Sequence, residues 1–198
     1  LILPLSRELS GTYQSALLAR EAFPDAPIYV VDTLAVTFGQ ALLVRAALEM
    51  RDRGLRAEDI FKAVTELVPR VRLYAVIDDL KYLRLGGRLS SAGAVMGTLL
   101  GIKPLVHIEE GKVVSLAKAR GQKAGYQMIL ERVREEGVDQ DYPVYFGHSN
   151  APAMMEELAE LIRSACALPQ TYESAIGPVV GTHAGPGCTG IAFIAKKG

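Results

Sequence analysis

Pro69-Arg70-Val71-Arg72-Leu73-Tyr74-Ala75-Val76-Ile77 is the stretch at which the chain changes its grammar. Upstream, strands and helices alternate. Leu1 to Leu5 is an apolar run that reads as a strand, and the turn Ser10-Gly11-Thr12 opens a helix whose Tyr13, Ala16 and Leu17 fall at helical spacing. Ile28-Tyr29-Val30-Val31, closed by Asp32-Thr33, is a β-branched run of the kind covered on both faces. Helices are predicted over 36–53 and 57–68, the second from the stripe Ile60, Phe61, Val64, Leu67 and Val68. This alternation predicts a parallel α/β layer. A two-strand sheet is too small to stand alone. Because the chain opens on Leu1-Ile2-Leu3-Pro4-Leu5 without an initiator Met, further strands are expected upstream.

Downstream the pattern is different. Leu73–Ile77 reads as a strand, 78–85 as a short helix broken by Gly86-Gly87, and 90–100 as a small apolar helix. The segments 104–108 and 112–116 flank Glu109-Glu110-Gly111, a hairpin by its turn residues. A helix over 121–136, a strand over 143–146, a capped helix over 150–164 and strands over 171–176 and 190–194 follow. Six strands with interspersed helices predict an α+β unit. The boundary falls near Pro69-Arg70, giving an N-terminal α/β domain in 1–70 and an α+β domain in 71–198.

Composition narrows the function classes. Hydrophobic residues make up 49% and charged residues 22%, which is globular and excludes wholesale disorder. Acidic and basic residues balance at 22 each, so no net field recruits nucleic acid or an anionic membrane. No apolar run reaches the roughly 18 residues of a bilayer span. Cys166 and Cys188 form neither a disulfide framework nor a zinc pattern, and a reduced, cytoplasmic setting is the simplest reading. Three scattered histidines without spaced carboxylates predict no metal site.

Four segments hold polar residues among glycines. In Ser10-Gly11-Thr12, two hydroxyls stand at a helix start beside free amides, an anion cradle that reads equally well as a plain cap. Gly86-Gly87-Arg88 places a permanent cation after a flexible turn; pointing inward it needs an anion, pointing outward it is a surface Arg after a glycine cap. Lys118-Ala119-Arg120-Gly121 is the third segment. The fourth, Thr182-His183-Ala184-Gly185-Pro186-Gly187, reads as a loop whose glycines and proline shape the backbone to hold something. Gly147-His148-Ser149-Asn150-Ala151 lies between a strand and a helix, the setting of a hydrolase nucleophile elbow, with Glu173 and His183 downstream in hydrolase order. Two rival classes therefore stand beside a binding protein: a serine hydrolase using Ser149, and a phosphate- or nucleotide-binding enzyme at the Ser10 turn.

Taken together, LSRELSGTYQSA (5–16), VVDT (30–33), IDDLKYLRLGGRLSSAGAVMGTLLGIKPL (77–105), KARGQKA (118–124) and GPVVGTHAGPGCTGIAF (177–193) resemble the DegV family of bacterial fatty acid-binding proteins. The resemblance covers essentially all of this chain and lacks the family's N-terminal third, with its Asp-Ser-Thr strand end and head-group threonine. It implies a two-domain α/β fold, the second domain an α+β unit with a mostly antiparallel sheet, and a lipid site at the interface. It also implies a long-chain fatty acid of the palmitate, stearate or oleate class as ligand, no cofactor and no catalysis in the chain itself. The partner is a fatty acid kinase that makes acyl-phosphate, and transient membrane contact would serve lipid exchange.

The implied carboxylate site is Ser10, Gly11, Thr12, Arg88 and His183. Val95, Met96, Leu99 and Leu100 are expected to line the acyl tunnel, although ordinary core packing explains them equally. Arg120 is assigned to kinase docking. Arg7, Ala184 and Cys188 depart from the family pattern and bear on selectivity.

Elementary energetics agree with that ligand. Burying a methylene is worth about 0.8 kcal/mol, so a tail of about fifteen carbons gives roughly 12 kcal/mol gross. Association costs on the order of 4–15 kcal/mol. The tail supplies affinity, and the head group decides orientation. A carboxylate entering an apolar cleft needs several donors, and Ser10, Arg88 and His183 supply them.

Overall fold

The computed structural model describes residues 1–89 and 101–197. Six strands form one sheet: β1 (Val71–Val76), β2 (Ile102–Glu109), β3 (Lys112–Arg120), β4 (Val144–His148), β5 (Thr171–Ala175) and β6 (Thr189–Ile194), in the order β3-β2-β1-β6-β4-β5. Only β4 and β5 run parallel; the other pairings are antiparallel. The hairpin predicted at Glu109-Glu110-Gly111 joins β2 to β3, with Glu110 at φ +48° and Gly111 at φ +82°.

The helices are α1 (Thr12–Glu21), α2 (Thr37–Asp52), α3 (Ala57–Leu67), α4 (Lys81–Leu85), α5 (Gln122–Glu136), α6 (Pro152–Ala165) and α7 (Pro178–Ala184). Side chains alternate along each strand, so each strand contributes to two cores. Tyr74, Val76, Leu105, Phe146, Ile191 and Phe193 pack under α5 and α6. Leu73, Ala75, Val106, Ala192 and Ile194 face α2 and α3 on the other side. A parallel bridge between Ile2 and Val30 lies on the α2 side, and Ser6 Oγ donates to the Gly111 carbonyl at 2.8 Å, tying the first residues to the β2–β3 turn.

Three expectations are corrected. The first two strands are reduced to the single Ile2–Val30 bridge, because each has only the other to pair with among the described residues. The 182–187 segment is not wholly loop: His183 sits in the last turn of α7. Pro178 starts that helix at a position whose missing N–H is no loss. Asn150 does not cap α6. It adopts φ +50°, and Ala151, with no side-chain cap, occupies the N-cap. The predicted 90–100 helix, with Val95, Met96, Leu99 and Leu100, lies outside the described residues.

Candidate functional site

A cavity of about 560 Å³ lies on the α2 side of the sheet. Its floor comes from Val113 of β3, Val106 and Ile108 of β2, Leu73 and Ala75 of β1 with Ile77 just beyond its end, Tyr145 of β4, and Ser174 and Ala175 of β5. It therefore crosses from one edge strand to the other. Five strand intervals of about 4.8 Å make that crossing about 24 Å. Leu5 and Leu9, the first turn of α2, and Val179 and Val180 of α7 close it from above. The lining is mostly apolar because the alternating strand residues on this face are Leu, Ala, Ile and Val.

Ser10, Thr12, Arg88 and His183 all line this one cavity, and Gly11 stands between the two hydroxyl residues as the N-cap of α1 without lining it. A chain of contacts joins them. Ser10 and Thr12 share a hydroxyl–hydroxyl hydrogen bond of 2.7 Å, and Ser10 Oγ also accepts the Thr12 amide at 3.3 Å. Arg88 Nε donates to the carbonyl of Leu9, next to Ser10, at 3.2 Å, and Nη1 donates to the Gly86 carbonyl at 2.6 Å. Gly86 in turn abuts the imidazole of His183, whose Nδ1 is buried and has no hydrogen-bond partner among the described residues. Two carbonyls hold the guanidinium at the cavity edge, and among the described residues no carboxylate forms an ion pair with it. Hydroxyls, a cation and an imidazole at one lip of an apolar channel make a receptor for an anionic head on an apolar tail.

Polar residues that sequence reasoning missed also line the channel: Thr37, Gln40, Tyr145 and Ser174. Gln40 Nε2 donates to the Leu3 carbonyl at 2.7 Å and so fixes the first residues against α2. Thr37 carries φ +49°, a left-handed non-glycine residue. Neither has a sequence signature, since both sit within an ordinary helical pattern. Cys188 lines the cavity as well, and burial pushes its thiol up to about 12, which favours the protonated form. Arg120 is exposed at the end of β3, paired in register with Ile102, and lies away from the cavity.

The hydrolase constellation is not assembled. Ser149 follows a strand and precedes a helix, as an elbow would, with its amide bonded to the Cys188 carbonyl and its carbonyl to the Gly187 amide. Glu173, however, accepts from Arg163 at 2.7 Å, and among the described residues no hydrogen bond links Ser149 Oγ, His183 and Glu173. Among those residues, no group of three or more His, Cys, Asp and Glu side chains is placed to hold a metal ion, and no helix is long and apolar enough to cross a membrane.

Comparison with known proteins gives a consistent picture. The family model described as "Uncharacterised protein, DegV family" matches residues 1–196. A DegV domain-containing protein of Streptococcus pyogenes is 39% identical over 205 residues, covering 100% of this chain and 70% of its own length. The crystal structure described as fatty acid binding of a DegV family protein from Thermus thermophilus superimposes with a TM-score of 0.90 at 32% identity, over 98% of this chain and 70% of that one. The Streptococcus pneumoniae fatty acid kinase B3 protein loaded with linoleic acid matches with a TM-score of 0.86 at 25% identity, over 97% and 70% of the two chains.

Proposed function

The chain belongs to the DegV family, and from that premise we propose that it binds a long-chain fatty acid and presents it to a fatty acid kinase for acyl-phosphate formation. The carboxylate would be held by Ser10, Thr12, Arg88 and His183, with the Gly11 turn shaping the cradle. The acyl chain would run along the channel, between an N-terminal unit (1–70) and a C-terminal unit (71–198). One observation carries this reading: four donor residues, from three stretches far apart in sequence, share the lining of a single apolar channel. An extended acyl chain advances about 1.25 Å per carbon–carbon bond of about 1.5 Å, so an acid of about eighteen carbons is about 21 Å long. That length is commensurate with the crossing of the sheet.

The chemistry belongs to the partner in this reading. A buried, protonated Cys188 and a Glu173 engaged by Arg163 favour a binding role over a hydrolytic one. Arg120, exposed and away from the channel, suits the kinase-facing role. Loading and release would take place by transient membrane contact, in the cytoplasm.

Mass spectrometry of the organic extract of the purified protein tests the ligand class; a stoichiometric long-chain acid is expected. Each of Ser10→Ala and His183→Ala should weaken oleate binding about tenfold or more, since a hydrogen bond to a charged group is worth about 1.5–3 kcal/mol. Unchanged oleate retention in both variants overturns the head-group assignment. Arg120→Ala should spare oleate binding and lower turnover by the kinase; lost lipid retention would reverse that division of roles.

A further inference from the structure

Gly86 has no backbone reason to be glycine. It caps α4 with φ −76° and ψ −6°, a helical conformation that any residue adopts. Its neighbour Gly87, at φ +68°, carries the left-handed turn. At a position like that of Gly86, alanine is normally favoured, because it narrows the unfolded ensemble without straining the fold.

What forbids alanine comes from another element. A Cβ at Gly86 would stand 2.0 Å from Nδ1 of His183 and 2.7 Å from its Cε1. This contact is one rung of a clasp between the α4 region and the end of α7. A Cβ on Gly185 would meet the Tyr82 ring at 2.3 Å, and one on Gly187 would meet Cβ of Asp78 at 3.1 Å. Asp78, Tyr82 and Gly86 thus face Gly187, Gly185 and His183 in antiparallel order. Gly185 and Gly187 also carry positive φ, +74° and +79°, so the backbone itself calls for glycine there. Of these three, Gly86 alone is glycine purely for its neighbour's ring.

We propose that Gly86 is a positioning residue for His183. Its bare α-carbon seats the Nδ1–Cε1 edge of the imidazole, leaving Nε2 as the nitrogen free to bond a ligand in the channel. The buried Nδ1, without a hydrogen-bond partner among the described residues, is the mark of that seat. The ligand half of the proposal rests on the reading of His183 as a head-group donor; the packing half does not.

A double-mutant cycle separates the two halves. Urea unfolding of the ligand-free protein and calorimetric titration with oleate are measured for the full chain, Gly86→Ala, His183→Ala and the double variant. In the parent background, Gly86→Ala lowers the unfolding midpoint and weakens oleate about tenfold, the scale of one displaced charge-assisted hydrogen bond. In the His183→Ala background the same change leaves affinity within about twofold and leaves the midpoint unchanged or raises it, because the ring is gone and only the backbone preference remains. Should Gly86→Ala fail to fold, recovery of folding in the double variant supports the seat equally. Equal losses in both backgrounds, or none in either, overturn it. Oleate binding that His183→Ala leaves intact, with the midpoints still coupled, overturns the head-group reading alone.

Discussion

On one side of the sheet, Phe146, Ile191 and Phe193 meet Leu158 and Ile162 with no exposed surface; on the other, Leu73, Ala75, Ile77 and Val106 face a cavity of about 560 Å³. The same strands supply both, residue by residue in alternation. On the filled side, aromatic and branched side chains interdigitate with α5 and α6. Gly125 lets α5 approach so closely that a Cβ there would stand 2.7 Å from Val76. On the hollow side the strands place Ala75 and Ala192, and the covering elements bring Ala41, Ala184 and Cys188. Side-chain volume, not secondary structure, decides which layer closes and which stays open for a ligand.

The largest expected effect follows from the filled side. Phe193→Ala should destabilise the protein by about 3–5 kcal/mol, the range for removing a buried aromatic ring, read from urea unfolding. The folded fraction should bind oleate as the parent does. A variant that lost affinity but kept its stability would break the contrast, because the two faces would then not be separable.

A matched pair of insertions sharpens it. Val76 and Ala75 are neighbours on β1 and point to opposite sides. Val76→Phe forces a ring against Gly125 and should cost about 1–3 kcal/mol by overpacking. Ala75→Leu adds carbons to empty volume, so stability should hold or rise while affinity for the longest acids falls more than for short ones. Equal destabilisation by both would mean that the cavity side is packed after all.

These contrasts bear on what the chain discloses by itself. The apolar runs of β1 and β6 and the stripe of α3 are local signals, and they read directly. The α7 helix does not, because Pro178, Gly181 and Gly185 resemble loop composition, and its packing against α4 is a tertiary contact that the local sequence does not announce. Ser10, Arg88 and His183 stand out through their glycine settings and the family resemblance. Tyr145, Ser174 and Gln40 have no such setting. Tyr145 and Ser174 reach the channel through the sheet order, in which β6 enters between β1 and β4, and Gln40 through the packing of α2 over the sheet, nonlocal arrangements that no spacing announces. Gly86 was legible as a turn residue, yet its reason lies in a histidine 97 positions later, a separation visible only in the fold.

The smallest predicted effect is a pH dependence at the rim of the filled side. His107 of β2 stacks on Tyr74, with ring centroids 6.0 Å apart and planes 4° from parallel. Burial lowers its pKa from the usual 6.5; Glu109 and Glu136 oppose that shift, while Arg132 and Arg72 add to it. Tyr74 donates to Glu136, and burial together with that bond holds the phenol well above its ordinary range. The sign follows from proton uptake. The unfolded chain protonates His107 near 6.5 and the folded chain resists, so the contribution is complete above that value and is lost as pH falls through 6.5 toward the lower folded value. That window lies above the ordinary carboxylate range of about 4, where other groups take over. Ligand-free urea midpoints should therefore drop between about pH 7.5 and about pH 5.5, and His107→Phe, which keeps a flat ring on Tyr74 without a titrating nitrogen, should flatten the drop. Identical slopes in the two proteins would show that the rim histidine is not strained by its burial, and that the filled side is no more sensitive to acid than the hollow one.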